Sequence, residues 1–343
     1  MAEQMIYLDY AASTPVDGRV LDRMREVAEK NCANPSSTHA AGREAQAIIA
    51  NAATQLGGLL NVDPTTLVWT SGATESDNLA IAGGARYRAH RGKHIVTMRT
   101  EHKAVTDVFE ALAREGFDVT WVEADSSGRL SPETFAAALR DDTQLASIMF
   151  VNNETGVIQD IEALGLVCRE HDVLFHVDGA QAVGKLPIDL GQLPVDLLSL
   201  TGHKFYGPKG IGALYIADRP GCHVEPILFG GGQQRRLRPG TLPTDLVAGL
   251  GMAAEVAAAS IEPDLEHLRG LRRILWDGIR DIDGVVLNGN AEGFPGILNV
   301  SVEDIEGESL LLALEPLQVA MIAGWQFCRD HQRFIEAGLR GSR

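Results

Sequence analysis

Five short stretches of this sequence carry side chains suited to chemistry. The first reads Ser199-Leu-Thr-Gly-His-Lys-Phe-Tyr-Gly-Pro-Lys-Gly210, a lysine just after an apolar run and set among Gly, His and Thr. Partial burial lowers a lysine's pKa and frees its lone pair. A free amine at Lys204 is what a Schiff base with the aldehyde of pyridoxal phosphate (PLP) requires. The competing reading is a surface lysine in a glycine-rich turn. The second stretch reads Phe175-His-Val-Asp-Gly-Ala-Gln181, with Asp178 at the end of an apolar run. A carboxylate buried there is costly without a partner. A pyridinium nitrogen would be such a partner, and the acid would keep the ring protonated as an electron sink. A helix N-cap is the plain alternative. Gln181, one turn on, could donate to the phenolic oxygen of the same ring.

The third stretch, Thr70-Ser-Gly-Ala-Thr-Glu-Ser76, runs from a strand into a helix. Gly72 and Ala73 are small enough to let backbone N–H groups approach a phosphate at the helix start, where the dipole favours an anion. Thr74 adds a hydroxyl. A capped helix start with Glu75 at the right spacing explains the same residues. The fourth, Thr100-Glu-His-Lys-Ala-Val105, places His102 after a strand. There it could stack on an aromatic cofactor or move protons near neutral pH, or be structural. The fifth, Val151-Asn-Asn-Glu-Thr-Gly156, puts Asn153 within possible reach of a ring substituent or a substrate carboxylate.

The elements that must position these residues are short apolar runs. Strands are predicted at Leu67–Trp69, His94–Met98, Val119–Val122, Leu145–Val151, Leu174–Val177, Leu197–Leu200 and Gly212–Ile216. Helical patterns lie between several of them, at Glu75–Arg88, Pro132–Leu139 and Ile161–Glu170. Such alternation implies an α/β fold with a mostly parallel sheet. In that class ligands gather at the carboxyl ends of strands, where all five stretches fall. From Leu246 the texture changes to two long helical patterns, Leu246–Ser260 and Pro263–Asp281. Short strands near Val285–Leu287 and Ile297–Val302 follow, then a helix over Glu308–Leu314. This predicts a large domain over residues 15–250 and a smaller α+β domain from 1–14 and 251–343.

Composition narrows the class. The chain has 343 residues, 45% of them hydrophobic and 22% charged, as in an ordinary globular protein. A net charge of -16 argues against binding nucleic acid. Cys32, Cys168, Cys222 and Cys328 form no CxxC pair, so neither a zinc site nor a disulfide scaffold is expected. The N-terminus lacks a signal-peptide layout, and no apolar run approaches the roughly 20 residues that span a bilayer. A cytoplasmic protein without membrane partners is expected.

Taken together, these motifs resemble the cysteine desulfurases of the class V aminotransferase group, which are fold type I PLP enzymes. The likeness begins at Tyr7-Leu-Asp-Tyr-Ala-Ala-Ser-Thr-Pro15 and Asn34-Pro-Ser-Ser-Thr-His39. It runs through the five stretches above to Arg238-Pro-Gly-Thr-Leu-Pro243, and covers the chain to about Ala320. The resemblance implies that Lys204 holds the cofactor and shuttles the Cα proton, and that His102 stacks on the ring and assists. It implies that Asp178 pairs with the ring nitrogen, and that Gln181 and Asn153 contact the oxygen side. Gly72, Ala73, Thr74, Thr201 and His203 would hold the phosphate, with Thr241 reaching it across a homodimer interface. The implied reaction takes L-cysteine to L-alanine. The sulfur leaves as a persulfide, for a sulfur-acceptor or scaffold protein in iron–sulfur cluster assembly or another sulfur-transfer pathway.

Two family elements have no counterpart here: the small-residue loop bearing the nucleophilic cysteine and the later segment whose arginine binds the substrate carboxylate. Cys328 lies near the expected place, but beside Trp325 and Phe327 rather than small residues. A reactive thiolate needs a lowered pKa and an exposed setting, so an incidental cysteine is expected. Plausible codons for residues 324–343, read one nucleotide forward, encode a closer match to the family's loop and helix, although without the cysteine. A frameshift, with loss of helical cover and poor solubility, is therefore expected. Two alternatives stand beside a desulfurase: a related PLP lyase or aminotransferase, such as a selenocysteine lyase, and an inert PLP-binding remnant or scaffold.

Overall fold

The structure, a computed structural model, describes residues 5–314, 316 and 319–321. Its strands are β1 (Ile6–Tyr7), β2 (Leu67–Thr70), β3 (His94–Met98), β4 (Asp118–Val122), β5 (Thr143–Met149), β6 (Leu174–Asp178), β7 (Leu197–Thr201), β8 (Gly212–Ile216), β9 (Val285–Leu287), β10 (Val300–Val302) and β11 (Val319–Ala320). Its helices are α1 (Gly18–Lys30), α2 (Ala40–Leu60), α3 (Ala73–Tyr87), α4 (Lys103–Arg114), α5 (Pro132–Ala138), α6 (Ile161–Glu170), α7 (Thr244–Ile279) and α8 (Gly307–Leu314).

Strands β2 to β8 form one sheet in the order β2-β8-β7-β6-β5-β3-β4. The pairs among β3 to β7 are parallel, and β8 runs antiparallel to both β7 and β2. Every residue of β2, β3, β5, β6, β7 and β8 is buried. That is why these strands appear in the sequence as continuous apolar runs rather than alternating ones. The edge strand β4 is exposed at Asp118 and buried only at Val122.

The predicted pair of helices after Leu246 is a single helix, α7, which passes through Pro263. A proline in a helix interior removes one hydrogen bond and crowds the preceding turn. Here Ala257, Ile261 and Leu265 stay buried on one face while Pro263 is exposed, so packing holds the axis through the break. The first half of α7 packs on α1 and α2. A Cβ on Gly251 would fall 2.6 Å from the Cα of Ala52, so only glycine permits that approach. By length and composition alone α7 would pass for a membrane-crossing helix, yet half of its most apolar window is buried within the fold. Helices α1 and α2 went unread in the sequence.

Strands β9 and β10 form a separate antiparallel hairpin, and the predicted strand over Ile297–Val302 shrinks to Val300–Val302. β1 pairs in parallel with β11, joining the two ends of the described chain. Cys328 and the expected frameshift lie outside the described residues.

Candidate active site

The sheet register sets the chemistry-bearing residues side by side along one edge. Thr70 pairs with Gly212, which pairs with Thr201. A Cβ on Gly212 would sit 2.7 Å from the Cα of Gly72, so glycine lets the start of α3 close onto the lysine-bearing segment. Asp178, the last residue of β6, pairs with Met149 on one side and Ser199 on the other.

Lys204 ends a single helical turn after β7. Its Nζ donates to the carbonyls of Ala11 at 2.5 Å and Ala12 at 2.9 Å. Burial pushes its pKa down, and nearby Asp178 and Asp9 oppose that shift. The Asp178 carboxyl is buried too, and Oδ1 accepts the Ala180 N–H at 2.9 Å. Burial pushes its pKa up, while the Ala180 N–H, His102 and Lys204 pull it down. These three side chains therefore share one electrostatic neighbourhood. His102 caps α4, with Nδ1 accepting the Ala104 N–H at 3.1 Å. In the neutral ring that leaves the proton on Nε2. Gln181 donates from Nε2 to the Ala11 carbonyl at 2.8 Å.

No side chain caps α3 at Gly72. Glu75 accepts the Ser71 N–H at 2.7 Å and is held by Arg238 at 2.8 Å, which ties the Arg238–Pro243 segment to this helix start. Thr74 lies exposed on the first turn. Thr201 is buried, with Oγ1 3.5 Å from where a Cβ on Gly72 would stand. The His203 Nδ1 lies 3.3 Å from Ser13 Oγ. Burial, then the positive charges of Lys204, Lys209 and Lys185, pushes the His203 pKa down to about 4. Asn153 is half-buried, while its neighbour Asn152 braces the loop by donating to the Thr100 carbonyl at 2.9 Å. Thr241 stands apart, exposed in a shallow groove with Asn31, Cys32, Asn34 and Asp245. The plain alternatives coexist with the chemical ones: Asp178 does accept a turn N–H, and Glu75 does complete a helix start.

Sequence reasoning missed three buried titratable groups and one half-buried lysine. Asp77, one turn after Thr74, has no hydrogen-bond partner on either oxygen among the described residues. The His176 ring lies beside it, with Nε2 3.5 Å from Asp77 Oδ1. His176 lies two residues before Asp178, on the same face of β6. It is held by Ser147 at 2.8 Å and Ser199 at 2.9 Å, and burial pushes its pKa down to about 3. Glu101 accepts the Met149 N–H at 2.9 Å through one oxygen and leaves the other unpaired. Lys185 donates to Gln181 Oε1 at 2.7 Å. Strand and helix periodicity puts Asp77 and His176 on inward faces, which was the available signal.

The profile of the family described as Aminotransferase class-V matches residues 6–337. Cysteine desulfurase IscS of Enterobacter sp. (strain 638) is 51% identical over 319 residues, covering 92% of this chain and 79% of its own length. This chain belongs to the cysteine desulfurase family of the class-V aminotransferases. Cysteine desulfurase IscS of Escherichia coli (strain K12 / DH10B) is 50% identical over the same shares. Among solved structures, a NifS-like protein superposes with a TM-score of 0.88 at 35% identity, over 92% of this chain and 87% of its own. SspA in complex with cysteine gives 0.82 at 36% identity, over 96% and 91%. DndA from Streptomyces lividans gives 0.80 at 42%, over 91% and 88%. The fold is that of the fold type I PLP enzymes, and PLP is the cofactor of the cysteine desulfurase family.

This desulfurase-family site suits PLP on its own terms. An amine with a lowered pKa suits the aldehyde. A buried acid in want of a cation suits the ring nitrogen. The α3 start, with no side-chain cap, offers backbone donors to a phosphate.

Proposed function

We propose that this chain is a PLP-dependent cysteine desulfurase that converts L-cysteine to L-alanine and passes the sulfur on as a persulfide. The observation that carries the reading is the half-buried Lys204 amine, held at a strand end in the electrostatic field of Asp178. When bound, PLP supplies an electron sink for the substrate's Cα. Lys204 holds the cofactor and, once released, moves the Cα proton. Asp178 keeps the ring nitrogen charged, and His102 assists the proton transfer. Gln181 and Asn153 orient the ring from its oxygen side. Gly72, Ala73, Thr74, Thr201 and His203 hold the phosphate.

Sulfur leaves when a thiolate attacks the substrate sulfur. An S–S bond forms and the Cβ–S bond breaks, with the electron pair staying on carbon, where protons complete alanine. Neither Cys168 nor Cys222 suits this role. Both are buried, which pushes Cys168 well above the usual thiol range and Cys222 up to about 12.

The same reading makes the working unit a homodimer in the cytoplasm, with Thr241 completing the phosphate site of the other subunit. Phe229 supports a subunit contact: it is 86% exposed in the single chain, on the loop leading to Arg238. A sulfur-acceptor or scaffold protein, as in iron–sulfur cluster assembly, is the further partner.

The test is product analysis. PLP-loaded protein given L-cysteine and a thiol reductant should release alanine and sulfide in equal amounts, and Lys204→Ala should release neither. Alanine from selenocysteine alone would favour a selenocysteine lyase. The wild-type chain yielding no product from either substrate would refute the enzymatic reading.

A further inference from the structure

A second half-buried amine stands behind the ring site. Lys185 lies four residues after Gln181 on a helical turn, where the Ala182 and Val183 N–H groups both donate to the Gly179 carbonyl. This turn puts residues 181 and 185 on one side. The Lys185 Nζ donates to Gln181 Oε1 at 2.7 Å and lies 5.7 Å from the centre of the buried Phe294 ring. Gln181 Nε2 points the other way and donates at 2.8 Å to the Ala11 carbonyl, which Lys204 also contacts.

An ammonium group has donors only, and a carboxamide has one donor end and one acceptor end. A cation at Lys185 therefore dictates which end of Gln181 faces inward and which faces the site. We propose that Lys185 is a positioning residue that locks the Gln181 amide with its N–H donors toward the cofactor's ring oxygen. The inference rests on the proposed function, in which Gln181 contacts that oxygen. Without Lys185 only the Ala11 carbonyl orients the amide, and a turned amide would set its own oxygen toward the ring, replacing a donor with a repelling acceptor. Burial, then the Lys204 charge, pushes the Lys185 pKa down to about 7, so the ammonium is held at a cost. The Phe294 face and the Gln181 oxygen are the groups that offset it.

The readout is the pH midpoint at which the visible absorption of the PLP-loaded protein changes. A donor to the ring oxygen favours its anion and keeps the midpoint low. Removing it should raise the midpoint by about one pH unit. Lys185→Met and Gln181→Leu should each produce that rise, and the double variant no more than either alone. Lys185→Arg, again donor-only, should restore the wild-type midpoint. Lys185→Gln, whose amide oxygen can accept from Gln181, serves if Lys185→Met does not fold.

A midpoint moved by Gln181→Leu but not by Lys185→Met would overturn the positioning role. So would additive shifts in the double variant, since Lys185 would then act through its own charge. If Gln181→Leu leaves the midpoint in place, the assignment of Gln181 itself fails, and Lys185 with it. PLP bound at Lys204 in every variant keeps these outcomes separate from failure of the site as a whole.

Discussion

The two ends of the seven-stranded sheet both bury polar and charged groups, but they satisfy them unequally. At the amino end, Asp196 is 1% exposed and meets a two-pronged Arg219, with both contacts at 2.5 Å. Arg88, 2% exposed, donates to the Gly221 carbonyl, the Asp172 carbonyl and the Asp172 carboxylate. His94 sits between Thr143 and Thr120 at 2.6 and 2.7 Å. At the carboxyl end, among the described residues, Asp77 has no hydrogen bond, Glu101 leaves one oxygen unpaired, and the Lys204 amine hydrogen-bonds only to carbonyls. The amino end meets its buried acid with a cation, though Arg88 Nε stays unpaired, while the carboxyl end pairs Glu75 with Arg238 and leaves Asp77 and Glu101 without one among the described residues. Unsatisfied buried polar groups along the carboxyl edge are the mark of a site kept ready for a charged ligand.

The contrast can be broken most severely at Lys204. Lys204→Ala should cut alanine formation by about 10³-fold or more, with little change in the melt, since the amine meets two carbonyls of half-buried residues and pairs with no buried charge by a direct hydrogen bond. A comparable loss of stability would place Lys204 with the structural ions instead. Arg219→Ala should do the reverse. It strands the buried Asp196 and should cost about 3 kcal/mol in urea unfolding, with the turnover of the folded protein kept.

Asp178→Asn sharpens the comparison further. It should lower turnover by about 10²-fold, since a neutral amide cannot hold a protonated ring. The cofactor-free protein should melt no lower, and somewhat higher at neutral pH, because a buried carboxylate disfavoured by its setting is removed. A lower melt would show that this acid is structural.

The smallest effect concerns Asp77. Burial, then Asp178, pushes its pKa well above the usual range. A carboxyl whose folded pKa is raised helps stability below its unfolded pKa, and that help is lost as pH rises toward the folded value. The Asp77 contribution to the stability of the cofactor-free wild type should therefore fall from pH 4 upward. Asp77→Asn should remove about 1 kcal/mol of that fall. Parallel pH profiles for the two proteins would contradict the assignment.

The sheet was largely legible because buried parallel strands leave apolar runs, and the five chemical stretches were legible because each follows such a run. α7 was misread at Pro263, where burial of Ile261 and Leu265 outweighs the local break. Helices α1 and α2 escaped notice because no chemistry-bearing residue drew attention to them. Strand order, and with it the adjacency of Gly72 and Gly212, comes from long-range pairing that no local pattern encodes. Asp77, Glu101, His176 and Lys185 escaped for a related reason. A single polar residue is informative only once its burial and its neighbours are known. Lys185 in particular looks ordinary in the sequence, and only its contact with Gln181 sets it apart.

The central claim is that the amine at position 204, not the one at 185, carries the cofactor. Borohydride reduction of the PLP-loaded protein, followed by peptide mapping, decides it. The account expects the pyridoxyl mark on Lys204 alone. A mark on Lys185, or none with PLP supplied in excess, would contradict it.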